Sequence, residues 1–215
     1  IIDSTNSEIN KIFYTILGSE VKSQPLYFYD KNVKISKNLT IDNINLQSEF
    51  IKIENNDVIF GPGDLQIEEN YIVPANYSLV IKAGTNIDFI NNSRIISYGD
   101  IQLDGLESSR INITSSDSSG RGIKVMNANK TSNINYVNFS DLHIDQNDFS
   151  PAILMFYESK VNLSNCIFKN ISSEDAINII KGEFLISNSS FDTILNDAID
   201  SDFSQGEMIN LDFSN

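Results

Sequence analysis

The sequence predicts an all-β protein of the β-solenoid type, and three observations support this fold class. The 215 residues include 34 Ile and 28 Asn, which favour strands and turns respectively. Similar segments recur along the chain with steps of 22 to 30 residues. The segments also keep their apolar positions in register. Short strands in a repeat of this length are typical of the coils of a parallel β-solenoid.

Each repeat begins with a small residue followed by isoleucine and later reaches a phenylalanine. The four starts are Arg121–Ile123, Pro151–Ile153, Asp175–Ile177 and Asp197–Ile199. A phenylalanine follows the small residue after 15 to 17 positions in every repeat, at Phe139, Phe168, Phe191 and Phe213. Two separate landmarks that keep the same phase indicate stacked columns rather than chance similarity.

The other columns predict where the coil bends and which side chains point inward. Three residues before the phenylalanine stand Tyr136, Asn165, Asn188 and Asn210. Asn tolerates the left-handed backbone of a tight bend, and stacked Asn side chains can hydrogen-bond between layers. Two residues before the phenylalanine stand Val137, Cys166, Ser189 and Leu211, which are expected to fill the core. The leucine-rich signature and long helical periods are absent, and a sandwich would not keep columns in register.

The stretch Ile72–Phe89 resembles the opening coil of right-handed parallel β-helix proteins of the pectate-lyase-like superfamily. It contains a Pro-Ala turn, an alternating strand, a Gly-Thr turn and a second strand. Ser93–Gly99, Ile101–Gly105 and Arg110–Ser116 are similar to the coil that follows in that superfamily. The resemblance covers residues 60–215 and implies a right-handed β-helix in a bacterial surface or secreted repeat protein. Enzymes, adhesins and silent modules all share the fold, so it implies no single activity.

Residues 1–59 are expected to form an N-terminal cap, with the coils in residues 60–215. Thr5–Glu8 reads as a capping box, and Ile9–Leu17 places apolar residues at helical spacing, which predicts a short capping helix. The alternative is the end of a preceding domain. Irregular early strands are expected at 26–29, 33–35, 39–44 and 50–53.

The last coil of the sequence is expected to be covered. The chain stops at Asn215, before the aliphatic position that follows Phe213 in the other repeats. An open solenoid end exposes unpaired backbone, so we expect further coils in a parent protein, or a partner, at this end.

The composition excludes several classes of function. The formal net charge of −14 disfavours nucleic acids and anionic membrane surfaces, which need a basic footprint. No apolar run is long enough to span a membrane, and one cysteine excludes a disulfide framework or a cysteine-based zinc cluster. No cofactor motif is present.

Strand alternation after the small residue predicts one continuous outer face. Lys124, Leu154, Asn178 and Asp200 are expected to form one outward column, and Met126, Phe156, Ile180 and Asp202 the next. The apolar members, Met126, Leu154, Phe156 and Ile180, are the candidate binding residues, because a row of exposed apolar side chains usually marks a contact surface. The alternative is that the loop 143–151 folds over them.

Two carboxylates on this face are the candidate catalytic pair. Asp200 and Asp202 are expected about 6.5 to 7 Å apart along one strand, near the lower limit for inverting glycosidases. With Asp197 they are also candidate calcium ligands, and ordinary solvated carboxylates are the alternative to both. The superfamily resemblance implies an Arg or Lys base in a lyase, for which Arg121 and Lys124 are the candidates. His143 is expected on the surface and Cys166 in the core.

Taken together, the sequence predicts a non-catalytic β-helix module of an extracellular or surface protein. Its partner is expected to be a carbohydrate or a protein. The alternatives are a polysaccharide lyase or hydrolase with its site on the outer face, and a structural spacer of an adhesin. Extracellular placement follows from the resemblance.

Overall fold

The computed structural model describes residues 11–14, 22–25, 49–145, 148 and 152–214. The chain divides into two compact units, Ile1–Leu39 and Thr40–Asn215. In the first unit, strand β1 (Lys11–Tyr14) pairs with strand β2 (Lys22–Pro25) in antiparallel orientation. The predicted helix is therefore wrong for Lys11–Tyr14, where β-branched and aromatic residues favour a strand. The rest of that helix, and the early strands predicted between residues 26 and 44, lie outside the described residues.

The second unit is a parallel β-solenoid of about seven turns. In chain order its strands are β3 (Ile51–Glu54), β4 (Asp57–Phe60), β5 (Gly63–Ile67), β6 (Tyr71–Val73), β7 (Ser78–Lys82), β8 (Thr85–Phe89), β9 (Ile95–Ser97), β10 (Ile101–Asp104), β11 (Ile111–Thr114), β12 (Ile123–Met126), β13 (Ser132–Asn135), β14 (Val137–Ser140), β15 (Ala152–Tyr157), β16 (Val161–Ser164), β17 (Ile167–Ile171), β18 (Asp175–Ile180), β19 (Glu183–Ile194), β20 (Asp197–Asp202) and β21 (Gln205–Ser214).

These strands form three faces around one core. The first face has the order β4-β7-β10-β13-β16-β19, the second β5-β8-β11-β14-β17-β19, and the third β6-β9-β12-β15-β18-β20. The long strands β19 and β21 pair with each other and run through the first and second faces. Neighbouring strands within the faces are parallel, whereas β3 pairs antiparallel with β4 at the start of the solenoid. This arrangement confirms the predicted parallel β-helix.

The predicted phenylalanine column is a continuous aromatic stack. The ring centroids of Phe139 and Phe168 are 4.7 Å apart, those of Phe168 and Phe191 4.9 Å, and those of Phe191 and Phe213 5.2 Å. The rings lie nearly parallel, with interplanar angles of 7 to 12°. Cys166 occupies the neighbouring inward column and is buried in the same core, as predicted.

The predicted asparagine bends are also confirmed. Four residues of that column have positive φ values, between 49 and 55°: Tyr136, Asn165, Asn188 and Asn210. The Asn210 amide donates to the Asn188 carbonyl oxygen at 2.8 Å, so this part of the column also bonds from coil to coil. On the second face, Asn138 donates to Asn112 and Asn112 to Asn86, both at 2.8 Å. These ladders extend the backbone pairing along the solenoid axis.

The predicted alignment of the repeat is wrong by one residue in β15. Ala152 pairs with Asp175 rather than with Ala176, and Leu154 pairs with Ile177. Because successive strand residues point to opposite sides, this shift exchanges the two sides of the strand. Leu154 and Phe156 are consequently buried in the core. The strand is apolar at almost every position, so its sequence gives no sign of which side faces inward.

None of the described residues belongs to a helix long and apolar enough to cross a membrane.

Candidate functional site

The outer side of the third face is the candidate site, and two columns of side chains run along it. The pairing register places Lys124, Met155, Asn178 and Asp200 in the first column and Met126, Tyr157, Ile180 and Asp202 in the second. Six of the eight predicted residues occupy the predicted columns, although Lys124 among them is buried rather than exposed. Met155 and Tyr157 take the places that were expected for Leu154 and Phe156, so the predicted apolar binding surface is wrong at those two positions. For Met126 and Ile180, both half-buried, binding stays a prediction.

A buried ion cluster lies where the second face turns into the third. The guanidinium of Arg94 donates to both carboxylate oxygens of Asp148, at 3.0 and 2.5 Å. Arg121 donates to the same carboxylate at 2.8 Å and to the side-chain oxygen of Asn92 at 3.1 Å. Asp148 precedes β15 in the chain, so its carboxylate joins this coil to the two preceding ones. Whether the loop 143–151 lies over the apolar column stays a prediction, because residues 146–147 and 149–151 lie outside the described residues.

Lys124 is buried beside this cluster rather than exposed to a substrate. Its ammonium donates to the backbone oxygen of Ala152 in the next coil. The pKa of Lys124 is lowered to about 7, chiefly by burial and also by the charge of Arg94, whereas the carboxylates of Asp148 and Asp175 act in the opposite direction. A lysine with such a pKa is chemically suited to act as a base near neutral pH. Its side chain, however, has only 1% of its surface exposed.

Two acidic side chains share one amide further along the same face. The side-chain nitrogen of Asn178 donates to Asp175 at 2.8 Å and to Asp200 at 3.0 Å. Burial raises the pKa of Asp175 to about 6; the Asn178 hydrogen bond lowers it and the charge of Asp200 raises it. The side-chain oxygen of Asn178 is buried without a hydrogen-bond partner. A carboxyl group with a raised pKa in such a cluster is a recurrent feature of functional sites.

The predicted carboxylate pair is placed on one face, as the alternation indicates. Asp200 is half-buried and accepts a hydrogen bond from the Ser201 backbone amide at 2.7 Å, whereas Asp202 is exposed. Ser201 pairs with the buried Ile179, so the strand keeps its alternation at this serine. Within residues 49–145, 148 and 152–214, no group of three or more His, Cys, Asp or Glu is placed to hold a metal ion. Catalysis by this pair, and calcium binding together with Asp197, stay predictions.

The remaining sequence candidates, His143 and Cys166, lie on the surface and in the core respectively, as predicted. His143 is exposed, and its Nδ1 lies 2.9 Å from the Ser172 hydroxyl oxygen. Burial raises the pKa of the Cys166 thiol to about 12, which keeps this thiol protonated and unreactive.

Sequence reasoning missed the three residues that organise this face, Arg94, Asp148 and Asp175. Asp175 is the first residue of one repeat, where the repeat pattern is carried by the small residue that follows it and not by the carboxylate. Arg94 and Asp148 are 54 residues apart, and nothing in their local sequence links them. Arg121 binds an acidic partner that comes from the next coil and not from its own.

Comparison of the chain with protein-family models, curated proteins and solved structures gives no significant match.

Proposed function

We propose that this chain is a non-catalytic β-helix module of an extracellular or surface protein, and that it binds a carbohydrate or protein partner. The observation that carries the proposal is that the two candidate lyase bases, Arg121 and Lys124, are engaged in contacts within the protein. Arg121 binds Asp148, and Lys124 binds a backbone carbonyl of the next coil. The groups that could abstract a proton thus hold neighbouring coils together.

Accessibility supports the same conclusion. A general base must come within hydrogen-bond reach of the proton that it removes. Lys124 is almost completely enclosed by protein, and Asp148 is 4% exposed. Opening this cluster to a substrate would leave buried charges without partners, which is strongly unfavourable.

The charge of the chain narrows the class of partner. At a net charge of −14, long-range repulsion opposes anionic polysaccharides and nucleic acids. A neutral carbohydrate or a protein surface without strong negative charge is therefore favoured.

One observation favours an enzyme as the second candidate. Burial raises the pKa of Asp175 to about 6, and Asp175 shares an amide with Asp200, so two carboxyl groups in different environments meet at this place. Such a pair resembles the acid and base of a glycoside hydrolase. In this alternative, Asp175 and Asp200 act on a polysaccharide bound along the third face.

A polysaccharide-degradation screen distinguishes the two candidates. Neutral and acidic polysaccharides are incubated with the folded protein, with calcium or with chelator, and both new reducing ends and unsaturated uronates are measured. We expect no products. Products that disappear in Asp175→Asn or Asp200→Asn, while Asp212→Asn stays active, would replace the binding module with an enzyme.

A further inference from the structure

A groove runs along the corner where the third face turns into the first. Its middle is formed by one small residue from each of three successive turns, Ser159, Gly182 and Ser204. The Ser159 hydroxyl accepts the backbone amide of Ala128, and the Ser204 hydroxyl accepts that of Gly182, both at 2.9 Å. These bonds fix the turns to one another. A Cβ atom at Gly182 would come within 2.4 Å of the Ser159 backbone oxygen, so glycine allows these two turns to approach each other closely.

Exposed side chains flank each small residue and form the two sides of the groove. Glu158 and Lys160 stand on either side of the buried Ser159, and Lys181 and Glu183 on either side of Gly182. The groove has a volume of about 500 Å³, within the range of small-molecule sites, which is roughly 300 to 1,000 Å³.

The charges on the two sides are arranged as opposed pairs. Lys181 lies 3.3 Å from Glu158 on one side, and Lys160 lies 2.8 Å from Glu183 on the other. Each side carries one lysine and one glutamate, so the charges of the groove cancel although the chain as a whole is strongly acidic. All four side chains are about half exposed. Ion pairs at such exposure are weak, and their donors and acceptors can be exchanged for the hydroxyl groups of a ligand.

An exposed aromatic ring lies at one end of the groove, on the side formed by Glu158 and Lys181. Phe203 follows Glu158 and Lys181 at the same place in the next turn, and 90% of its surface is exposed. All three residues have positive φ values, of 46 to 53°. A bulky residue in this conformation is strained, whereas Asn or Gly would fit it. Backbone preference therefore does not explain a phenylalanine here, and an aromatic side chain exposed on a turn is suited to a contact surface.

We propose that this groove, with Phe203 as its platform, binds a neutral oligosaccharide. This inference rests on the proposed function, a binding module, and names its site and its class of ligand. A sugar presents an apolar face of C–H groups and a rim of hydroxyl groups. The face packs on the Phe203 ring, while the hydroxyls donate to Glu183 and accept from Lys160 or Lys181. The absence of net charge in the groove selects neutral sugars over uronates.

Titration with defined oligosaccharides tests this site. Cellohexaose, xylohexaose and mannohexaose serve as neutral probes and hexagalacturonate as the anionic probe, with binding measured by isothermal titration calorimetry. We expect at least one neutral probe to bind and hexagalacturonate not to bind. Phe203→Asn, which suits the backbone, is expected to weaken binding by about tenfold or more, equivalent to about 1.4 kcal/mol, and Phe203→Trp to retain it.

Leu195→Asn is the matched control, because Leu195 is also exposed, at 61%, and does not line this groove. Unchanged binding in Phe203→Asn, or equal loss of binding in both variants, would overturn the proposal that this groove is the binding site. The proposed function, a binding module, would still stand. Failure of every neutral probe to bind would also overturn the groove. Degradation of a probe would instead overturn the proposed function, and the two failures are thus distinguishable.

Discussion

Arg94 and Asp148 are 54 residues apart in the chain and form a bidentate ion pair that is almost completely buried. The two N–O distances are 3.0 and 2.5 Å, and the side chains are 3% and 4% exposed. Bidentate pairing matches the planar guanidinium to the planar carboxylate. Asp148, which precedes β15, is therefore held by the residue that precedes β9, two coils away.

Removal of the Asp148 charge is expected to destabilise the protein. Asp148→Asn leaves Arg94 buried next to a neutral partner, and breaking a buried pair in this way costs about 3 to 5 kcal/mol. Urea unfolding followed by circular dichroism measures this loss. The double variant Arg94→Met/Asp148→Leu removes both charges and is expected to recover most of the stability. A loss below about 1 kcal/mol in the single variant would show that solvent reaches the pair.

The loss in free energy of unfolding on truncating a phenylalanine of the aromatic stack is expected to depend on how deeply its ring is buried. Phe168→Ala removes a fully buried ring between Phe139 and Phe191, and such changes cost about 3 to 5 kcal/mol. Phe213→Ala is the matched control, because its ring is stacked on one neighbour and 57% exposed. It is expected to lose less than half as much free energy of unfolding. Equal losses would mean that the stack does not carry the stability of the core.

The ionisation of Asp175 is expected to appear in the pH dependence of stability. The pKa of this carboxyl is raised from its ordinary value of 3.8 to about 6, chiefly by burial. The folded state therefore binds the proton more tightly than the unfolded chain does. The resulting stabilisation is fully present below about pH 3.8 and is lost as the pH rises through about 6.

Asp175→Asn removes this dependence. Relative to the unmodified protein, the variant is expected to gain stability progressively between pH 4 and pH 6.5, as measured by urea unfolding at several pH values. Its amide oxygen can still accept the hydrogen bond from Asn178. Asp202→Asn, an exposed position on the same face, controls for the loss of one negative charge. A constant difference between Asp175→Asn and the unmodified protein across this range would contradict the burial of Asp175.

The left-handed bends are expected to discriminate between residue types. Asn188 has a φ of 49° and accepts a hydrogen bond from Asn210. Asn188→Val places a β-branched residue in this conformation, which costs about 1 to 2 kcal/mol, whereas Asn188→Gly is expected to cost less because glycine tolerates it. Thermal unfolding of the two variants checks the order, and a more stable valine variant would contradict the left-handed bend.

The one-residue error at β15 shows why a repeat in the sequence does not determine every facing direction. Alternation has a period of two, so an apolar strand such as Ala152–Tyr157 fits the core equally well in either register. The alignment of its neighbours fixes the register only when the connecting loop has a known length. The step from Gly122 to Ala152 is 30 residues, longer than the later steps of 24 and 22, so the spacing alone predicts the wrong side for Leu154 and Phe156.

The sequence by itself determined the repeat, the phenylalanine stack, the asparagine bends and the inward position of Cys166. These features depend on local spacing, because each coil meets its neighbour at a nearly constant separation along the chain. Only the tertiary structure decided the register of β15, the burial of Lys124 and the ion cluster of Arg94, Arg121 and Asp148. Those contacts join residues that are separated by loops of variable length. They form because opposite charges pair favourably inside the protein, and no local sequence pattern encodes that pairing.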